Sequence, residues 1–294
     1  MAITAKMVQD LREKTGVGMM DCKRALEEAG GNMDEAVTIL RKKGIATAQK
    51  KAVRAASDGL IASLASGDGK SGVLLEVNCE TDFVAKTDDF KGLVKELCEM
   101  ALAKAPASPE ALLSLPYGKD GAATVKDLVV AKIAKLGENL QLRRFARYEG
   151  DLVASYIHAG GKIGVLIDIA CDAPLANKPE TLELAKELCM QVAAAQPRFV
   201  RREEVTDEVL QKEREIYRAQ VIAQGKPEAI ADKIVEGKMN KFYEENCLLE
   251  QPFIKDQAIR VQKHVESLAG KNFMVKRFDR FVLGEGLASS ACGE

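Results

Sequence analysis

A glycine followed by lysine and serine, as at Gly69-Lys70-Ser71, supplies the ammonium and hydroxyl groups with which a phosphate loop grips a nucleotide and its magnesium ion. Such a loop also needs a glycine five positions earlier and a helix directly after the serine. Leu64 stands at the first place, and the apolar strand pattern from Val73 to Val77 follows the triplet. Two histidines, His158 and His264, lie far apart with no HExxH or Ser/His/Asp pattern around them, although spacing alone leaves open a triad assembled in space. Seven cysteines (22, 79, 98, 171, 189, 247, 292) form no CxxC pair, so neither a zinc site nor a disulfide framework is indicated. Asp88 and Asp89 fall at a helix entry and read as solvated charges favoured by the helix dipole. A stretch with no evident reaction remains, Glu80-Thr81-Asp82-Phe83. Thr81 suits an N-cap and Asp82 a first helical turn. Phe83 is then either core packing or a projection toward something else.

Bulk properties narrow the classes. The 294 residues, 47% hydrophobic, can hold one large or two to three ordinary cores. Forty-three Lys plus Arg balance 44 Asp plus Glu, a net charge of -1, which gives no electrostatic footprint for nucleic acid or an anionic membrane. With no tryptophan and 5% aromatics there is little for base stacking. No apolar run nears the roughly 18 residues of a membrane span, and the N-terminus lacks a signal pattern. The unpaired thiols suit a reducing compartment, so a cytoplasmic protein without metal or cofactor is expected.

The elements that would position these residues are legible in the spacing. Residues 4 to 43 read as three short helices: Thr4 caps the first, "TGVG" at 15 to 18 breaks it, "GGN" at 30 to 32 breaks the second, and Asn32 with Glu35 resembles a capping box for the third. Met19 and Met20 follow the "GVG" turn and cannot easily both face one interior, which suggests an adaptable contact. The basic stretch "KAVRAASDG" at 51 to 59 reads as a linker. From Asp58 the chain repeats itself. "GKSGVLLEVNC" at 69 to 79 matches "GKIGVLIDIAC" at 161 to 171 with an offset of 92, and "LVKELC" at 93 to 98 matches "LAKELC" at 184 to 189 with an offset of 91. Each copy reads as a hairpin followed by an amphipathic helix, giving an α+β pair. At offset 92, Asp82 and Phe83 face Pro174 and Leu175, and His158 at the second hairpin tip faces Ser66, so neither the aromatic nor the imidazole is required by the architecture. A helix at 124 to 136 and a strand at 139 to 149 join the copies. After "QPRFV", Thr206 caps a helix with Val209, Leu210, Ile216, Tyr217 and Val221 inward. "GKP" at 225 to 227 turns the chain, Pro227 opens a second helix with Ile230, Ile234, Met239 and Phe242, and residues 272 to 286 supply a late strand.

The stretches "LREKTGVGMMDCKRAL" (11 to 26), "LEVNCETDFVAK" (75 to 86), "KLGENLQLRR" (135 to 144), "SYIHAGGKIGVL" (155 to 166) and "GKPEAIADKIVEGKMNKF" (225 to 242) occur in an order that resembles bacterial elongation factor Ts, the guanine-nucleotide exchange factor of the translational GTPase elongation factor Tu. The resemblance runs from Ile3 to about Gly286. It implies an N-terminal ubiquitin-associated-like three-helix domain (1 to 53), a core of two repeated hairpin-plus-helix subdomains (54 to 144, and 145 to 200 with 246 to 286), and an inserted antiparallel coiled-coil hairpin (201 to 245). A tail (287 to 294) is shorter than in family members with a C-terminal helical module.

By the same resemblance, Thr81, Asp82 and Phe83 act beside the magnesium and nucleotide site of the GTPase. Phe83 would be a wedge between its helices, and Asp82 would fix the helix end that presents it. Met19, Met20 and Arg12 match positions that grip a helix of the G domain. Leu136 and His158 match positions contacting the nucleotide domain and a distal β-domain. The implied partner is elongation factor Tu, GDP-bound or nucleotide-free, with a homodimer of the binary complex as one arrangement the family admits. No covalent chemistry is expected. The alternative is a non-catalytic adaptor that binds ubiquitin-like folds through the N-terminal module alone, and an enzyme comes third.

Overall fold

The computed structural model describes residues 2–118, 121–224 and 227–287, with only the backbone of 228–230. Three helices open the chain: α1 (Ala5–Thr15), α2 (Met19–Glu28) and α3 (Met33–Lys51). The Met7 N–H donates to the Thr4 hydroxyl at the start of α1, and Gly16 closes it with φ 69°. Asn32 caps α3 by accepting from the N–H groups of Asp34 and Glu35. Val8, Leu11, Cys22, Ala25, Leu26, Ala36 and Leu40 are buried between the three.

The third helix runs past 43, through Gly44 and into the stretch expected to be linker. The added turns pack along α7 (Val125–Leu136), where Gly44 is buried against the neighbouring helix. Arg41 pairs with Asp127 on the same helix at 2.7 Å.

Next come β1 (Asp58–Ala65), β2 (Ser71–Cys79), the single turn α4 (Asp82–Ala85), α5 (Asp88–Lys104), α6 (Pro109–Ser114), β3 (Pro116–Tyr117), β4 (Ala123–Thr124), α7 and β5 (Gln141–Glu149). β2 lies between β1 and β5 in an antiparallel sheet. The second half repeats the plan with β6 (Leu152–His158), β7 (Ile163–Cys171), the turn α8 (Ala173–Ala176) and α9 (Pro179–Ala195). Two long helices, α10 (Asp207–Ala223) and α11 (Glu228–Asn246), precede β8 (Pro252–Phe253), β9 (Asp256–Arg260), α12 (Val261–Ala269) and β10 (Phe273–Val282), and β7 lies between β6 and β10.

The central strands are buried on both faces because successive side chains alternate. Val73, Leu75, Val77 and Cys79 pack with α5, and Val165, Ile167, Ile169 and Cys171 with α9. The opposite faces meet each other in a shared cluster of Ile61, Leu74, Tyr148, Val153, Leu166 and Phe281. Those six are matched pairs. Ile61/Val153 and Leu74/Leu166 stand 92 apart, while Tyr148 pairs with Gly72 and Phe281 with Gly164.

The hydrogen bonds across the seam are reciprocal: Ile61 N–H donates to the Gly161 carbonyl at 2.8 Å, and Val153 N–H to the Gly69 carbonyl at 2.7 Å. Ser155 donates to its counterpart Ser63 at 2.9 Å. Each sheet buries one carboxylate. Glu76 is held by Arg143 and Arg144, and Asp168 by Arg277. Arg144 stacks on Phe281 of the other sheet and Arg277 on Tyr148 of the other, both at 4.2 Å. This is the self-complementary geometry of a two-fold interface realised within one chain.

α10 and α11 lie side by side around Val221, Val235, Met239 and Phe242. Thr206 caps α10 as expected. Ile216 does not join the seam and is exposed, because the seam uses Tyr217 and Val221 and leaves 216 on the outer side. Pro227 sits at the N-cap of α11. The expected turn at Gly225 and Lys226, the Ile230 side chain and the tail after Leu287 lie outside the described residues.

Candidate functional site

β2 ends at Cys79, and two residues later the chain enters α4. Thr81 is extended (φ -134°, ψ 154°) and its hydroxyl accepts from the Val84 N–H, so it is the N-cap the sequence predicts. Three different fates follow within one turn. Ala85 is buried and Val84 packs on the first core, whereas Phe83 is 79% exposed. Burying a phenylalanine is worth about 1.5–3 kcal/mol, so leaving one in water forgoes a folding gain. Core packing is therefore not its role. Asp82 is half-buried and its carboxylate accepts from Lys86 Nζ at 2.6 Å, an i,i+4 pair spanning the turn. That bond holds the Asp82 carboxyl below the usual carboxylate range and raises Lys86.

The second sheet provides a comparison, with one correction to the register. Glu80 and Thr81 separate Cys79 from α4, but Asp172 alone separates Cys171 from α8. The helix position of Phe83 is thus occupied by Pro174, which is exposed, rather than by Leu175. Leu175 is the counterpart of Val84, and each packs on its own core.

Met19 and Met20 are the first two residues of α2 and are 42% and 66% exposed, so neither belongs to the module's core. Arg12 is exposed on α1. Leu136 ends α7 and is half-buried against the first core. His158 is exposed at the end of β6, where its Nδ1 lies 3.0 Å from the Tyr156 hydroxyl.

The other candidate chemistries resolve into structure. The turn at 66 to 71 is closed by the Asp68 carboxylate, which accepts from the Ser66 hydroxyl and the Lys70 N–H, so donors a phosphate would need are already taken. His264 stacks on Phe253 at 4.0 Å and its Nε2 is 2.8 Å from the Glu187 carboxylate. Among the described residues neither imidazole bonds to a serine, threonine or cysteine nucleophile, and no cluster of three metal-ligating side chains occurs. Cys22, Cys79, Cys98, Cys171, Cys189 and Cys247 are all buried and unpaired, with burial pushing the Cys79 and Cys98 thiols up to about 12. Asp89 is not merely solvated: it binds Lys132 and Lys135, tying α5 to α7.

Two residues of "KLGEN" that sequence reading passed over hold the turn. One Glu138 oxygen accepts from the N–H groups of Glu80 (3.1 Å) and Thr81 (3.0 Å), and the other accepts from the Thr81 hydroxyl at 2.6 Å. In return the Asn139 N–H donates to the Glu80 carboxylate at 2.7 Å, and the Asn139 amide donates to the Arg54 carbonyl.

A family profile described as "Elongation factor TS" matches residues 80–285. Among known relatives, a protein named Elongation factor Ts from Trichlorobacter lovleyi is 48% identical over 98% of this chain and 94% of its own. One of the same name from Prosthecochloris aestuarii is 48% identical over 96% and 99%, and one from Clostridium botulinum is 46% identical over 97% and 94%.

Proposed function

The chain belongs to the elongation factor Ts family, and from that premise we propose that it is a cytoplasmic guanine-nucleotide exchange factor that binds elongation factor Tu and promotes GDP release during polypeptide elongation. The observation that carries this reading is Phe83, largely in water on a capped single turn whose other side chains are anchored. On this reading Phe83 enters between GTPase helices and displaces the groups that hold magnesium and the β-phosphate, with Thr81 and Asp82 setting the helix end. Met19, Met20 and Arg12 grip the G domain, Leu136 supports the contact near the nucleotide domain, and His158 reaches a distal domain.

The division of the chain follows the same reading. It comprises a ubiquitin-associated-like module (1 to 53), two repeated subdomains (54 to 144, and 145 to 200 with 246 to 286), a coiled-coil arm (201 to 245) and a tail (287 to 294), of which the module and the two subdomains carry the residues that meet the partner. No bond of the nucleotide is broken. The protein binds the empty GTPase more tightly than the loaded one, and linkage requires that it weaken GDP by the factor by which GDP weakens it.

The test is release of a fluorescent GDP from elongation factor Tu with and without the full chain. Acceleration that saturates with the chain is the expected result, and release at the intrinsic rate at every concentration overturns the reading. An adaptor acting through the N-terminal module alone would bind without accelerating release.

A further inference from the structure

Phe83 is poorly restrained by its own surroundings. α4 has four residues, far below the roughly 12–15 at which an isolated helix holds together in water. The ring itself buries little. A wedge that had to be ordered on binding would lose affinity to that ordering, so a turn fixed beforehand is the better device.

The restraint comes from a segment distant in sequence. Both oxygens of Glu138 are spent on residues 80 and 81, as charge-assisted bonds to two successive N–H groups and a hydroxyl. The Thr81 hydroxyl donates to Glu138 while accepting from Val84, so one bond orients the cap of α4. Among the described residues no lysine or arginine pairs with Glu138, which leaves the turn as its partner. Glu80 answers by accepting from the Asn139 N–H, so each segment's carboxylate holds the other's backbone.

The second sheet lacks the device. Counting back from the paired positions Tyr148 and Phe281 puts Lys271 where Glu138 stands, and Lys271 is exposed. There α8 has no side-chain cap bond, and its second residue is Pro174 instead of an aromatic. Among the described residues, clamp and aromatic occur together at the first turn and neither occurs at the second.

We propose that Glu138 is a positioning residue for Phe83: its carboxylate, bonded to the N–H groups of Glu80 and Thr81 and to the Thr81 hydroxyl, holds the turn in the orientation from which Phe83 acts on the GTPase. This rests on Phe83 being the wedge. Glu138 touches the turn and acts through it.

The test is a double-mutant cycle in the full chain, read as fluorescent GDP release from elongation factor Tu over a range of chain concentrations. Glu138→Ala is expected to lower the maximal release rate about tenfold, the scale of losing hydrogen bonds to a charged group, with little change in the half-saturating concentration. In a Phe83→Ala background it is expected to cost nothing more. A parental rate for Glu138→Ala, or the same fold-loss with and without Phe83, overturns the proposal. Should Phe83→Ala alone release GDP at the parental rate, the wedge reading fails and the positioning role falls with it, a result seen in a different arm. If Glu138→Ala does not fold, Glu138→Asp, which draws the carboxylate back by one methylene, enters the same cycle with an expected loss of about threefold. An Asp variant at the parental rate, or one equally impaired without Phe83, likewise overturns it.

Discussion

Replacing Phe83 with alanine removes a side chain of which 79% is in solvent, so only about a fifth of its surface is withdrawn from water by folding. Full burial of a phenylalanine is worth about 1.5–3 kcal/mol, and a fifth of that is about 0.3–0.6 kcal/mol. Alanine is also the better helix former by about 0.5 kcal/mol, which offsets much of the loss. Net stability is therefore expected to stay within about 0.5 kcal/mol of the parent, against the roughly 3–5 kcal/mol typical of a core phenylalanine. An aromatic at the centre of an interface behaves differently. Its truncation commonly costs about 2 kcal/mol or more, roughly thirtyfold in an equilibrium. Urea melts and stopped-flow release of fluorescent GDP from elongation factor Tu separate the two, with Pro174→Ala as the matched control, expected to be neutral in both. A Phe83→Ala protein that melts like a core deletion, or one that releases GDP at the parental rate, refutes the reasoning.

Two further outcomes are expected. Removing residues 1 to 53 takes away Met19, Met20 and Arg12 and uncovers the α7 surface on which α3 lies. The truncated chain should melt cooperatively at a lower Tm and bind the GTPase more weakly, and loss of a cooperative transition would show that the module and the rest are one folding unit. Asp89 is held below the usual carboxylate range by Lys135 and Lys132, so its stabilising effect is present above the unfolded value of about 3.9 and is lost as pH falls through the lower folded value. Asp89→Asn should cost under about 1 kcal/mol at pH 7, since 34% of the group is in solvent. That cost should shrink as urea melts are run down toward pH 3, and a constant cost contradicts the assignment.

Much of this was legible in the chain. The caps at Thr4, Asn32, Thr81 and Thr206 follow from a short hydroxyl or amide before an apolar periodic run, a local rule that tertiary contacts did not override. Exposure of Phe83 was not decidable, because a cap followed by an aromatic suits a buried ring and a presented one alike. The fall of the repeat offset from 92 to 91 already signalled a residue missing between Cys171 and Leu184. The structure places that gap before α8, which moves the counterpart of Phe83 to Pro174. The third helix was expected to end by 43 and instead continues to Lys51, because α3 packs along α7, a tertiary contact that no local signal announces. Glu138 was hidden for a different reason. Its partners are 57 and 58 residues away, and a glutamate after a glycine in a loop gives no local sign of being spent.

The internal two-fold arrangement gives a way to separate scaffold from function. Where matched positions do the same job, as Ile61 and Val153, Leu74 and Leu166, or the two arginines stacked across the seam, the residues serve the interface between the sheets. A Cβ at Gly72 would lie 2.8 Å from Val153 and one at Gly164 would lie 2.5 Å from Ile61, so packing also constrains both halves alike at the point of closest approach. Departures from the match then have no shared packing reason behind them. Phe83 against Pro174, Glu138 against Lys271 and His158 against Ser66 are of this kind, and among the described residues the long α10–α11 pair has no counterpart in the first half. Three of those four departures place a distinct group on or under an exposed turn, and the fourth extends the surface. A rigid, closely packed seam permits this, because a turn can be altered on one side without disturbing the strands that position it.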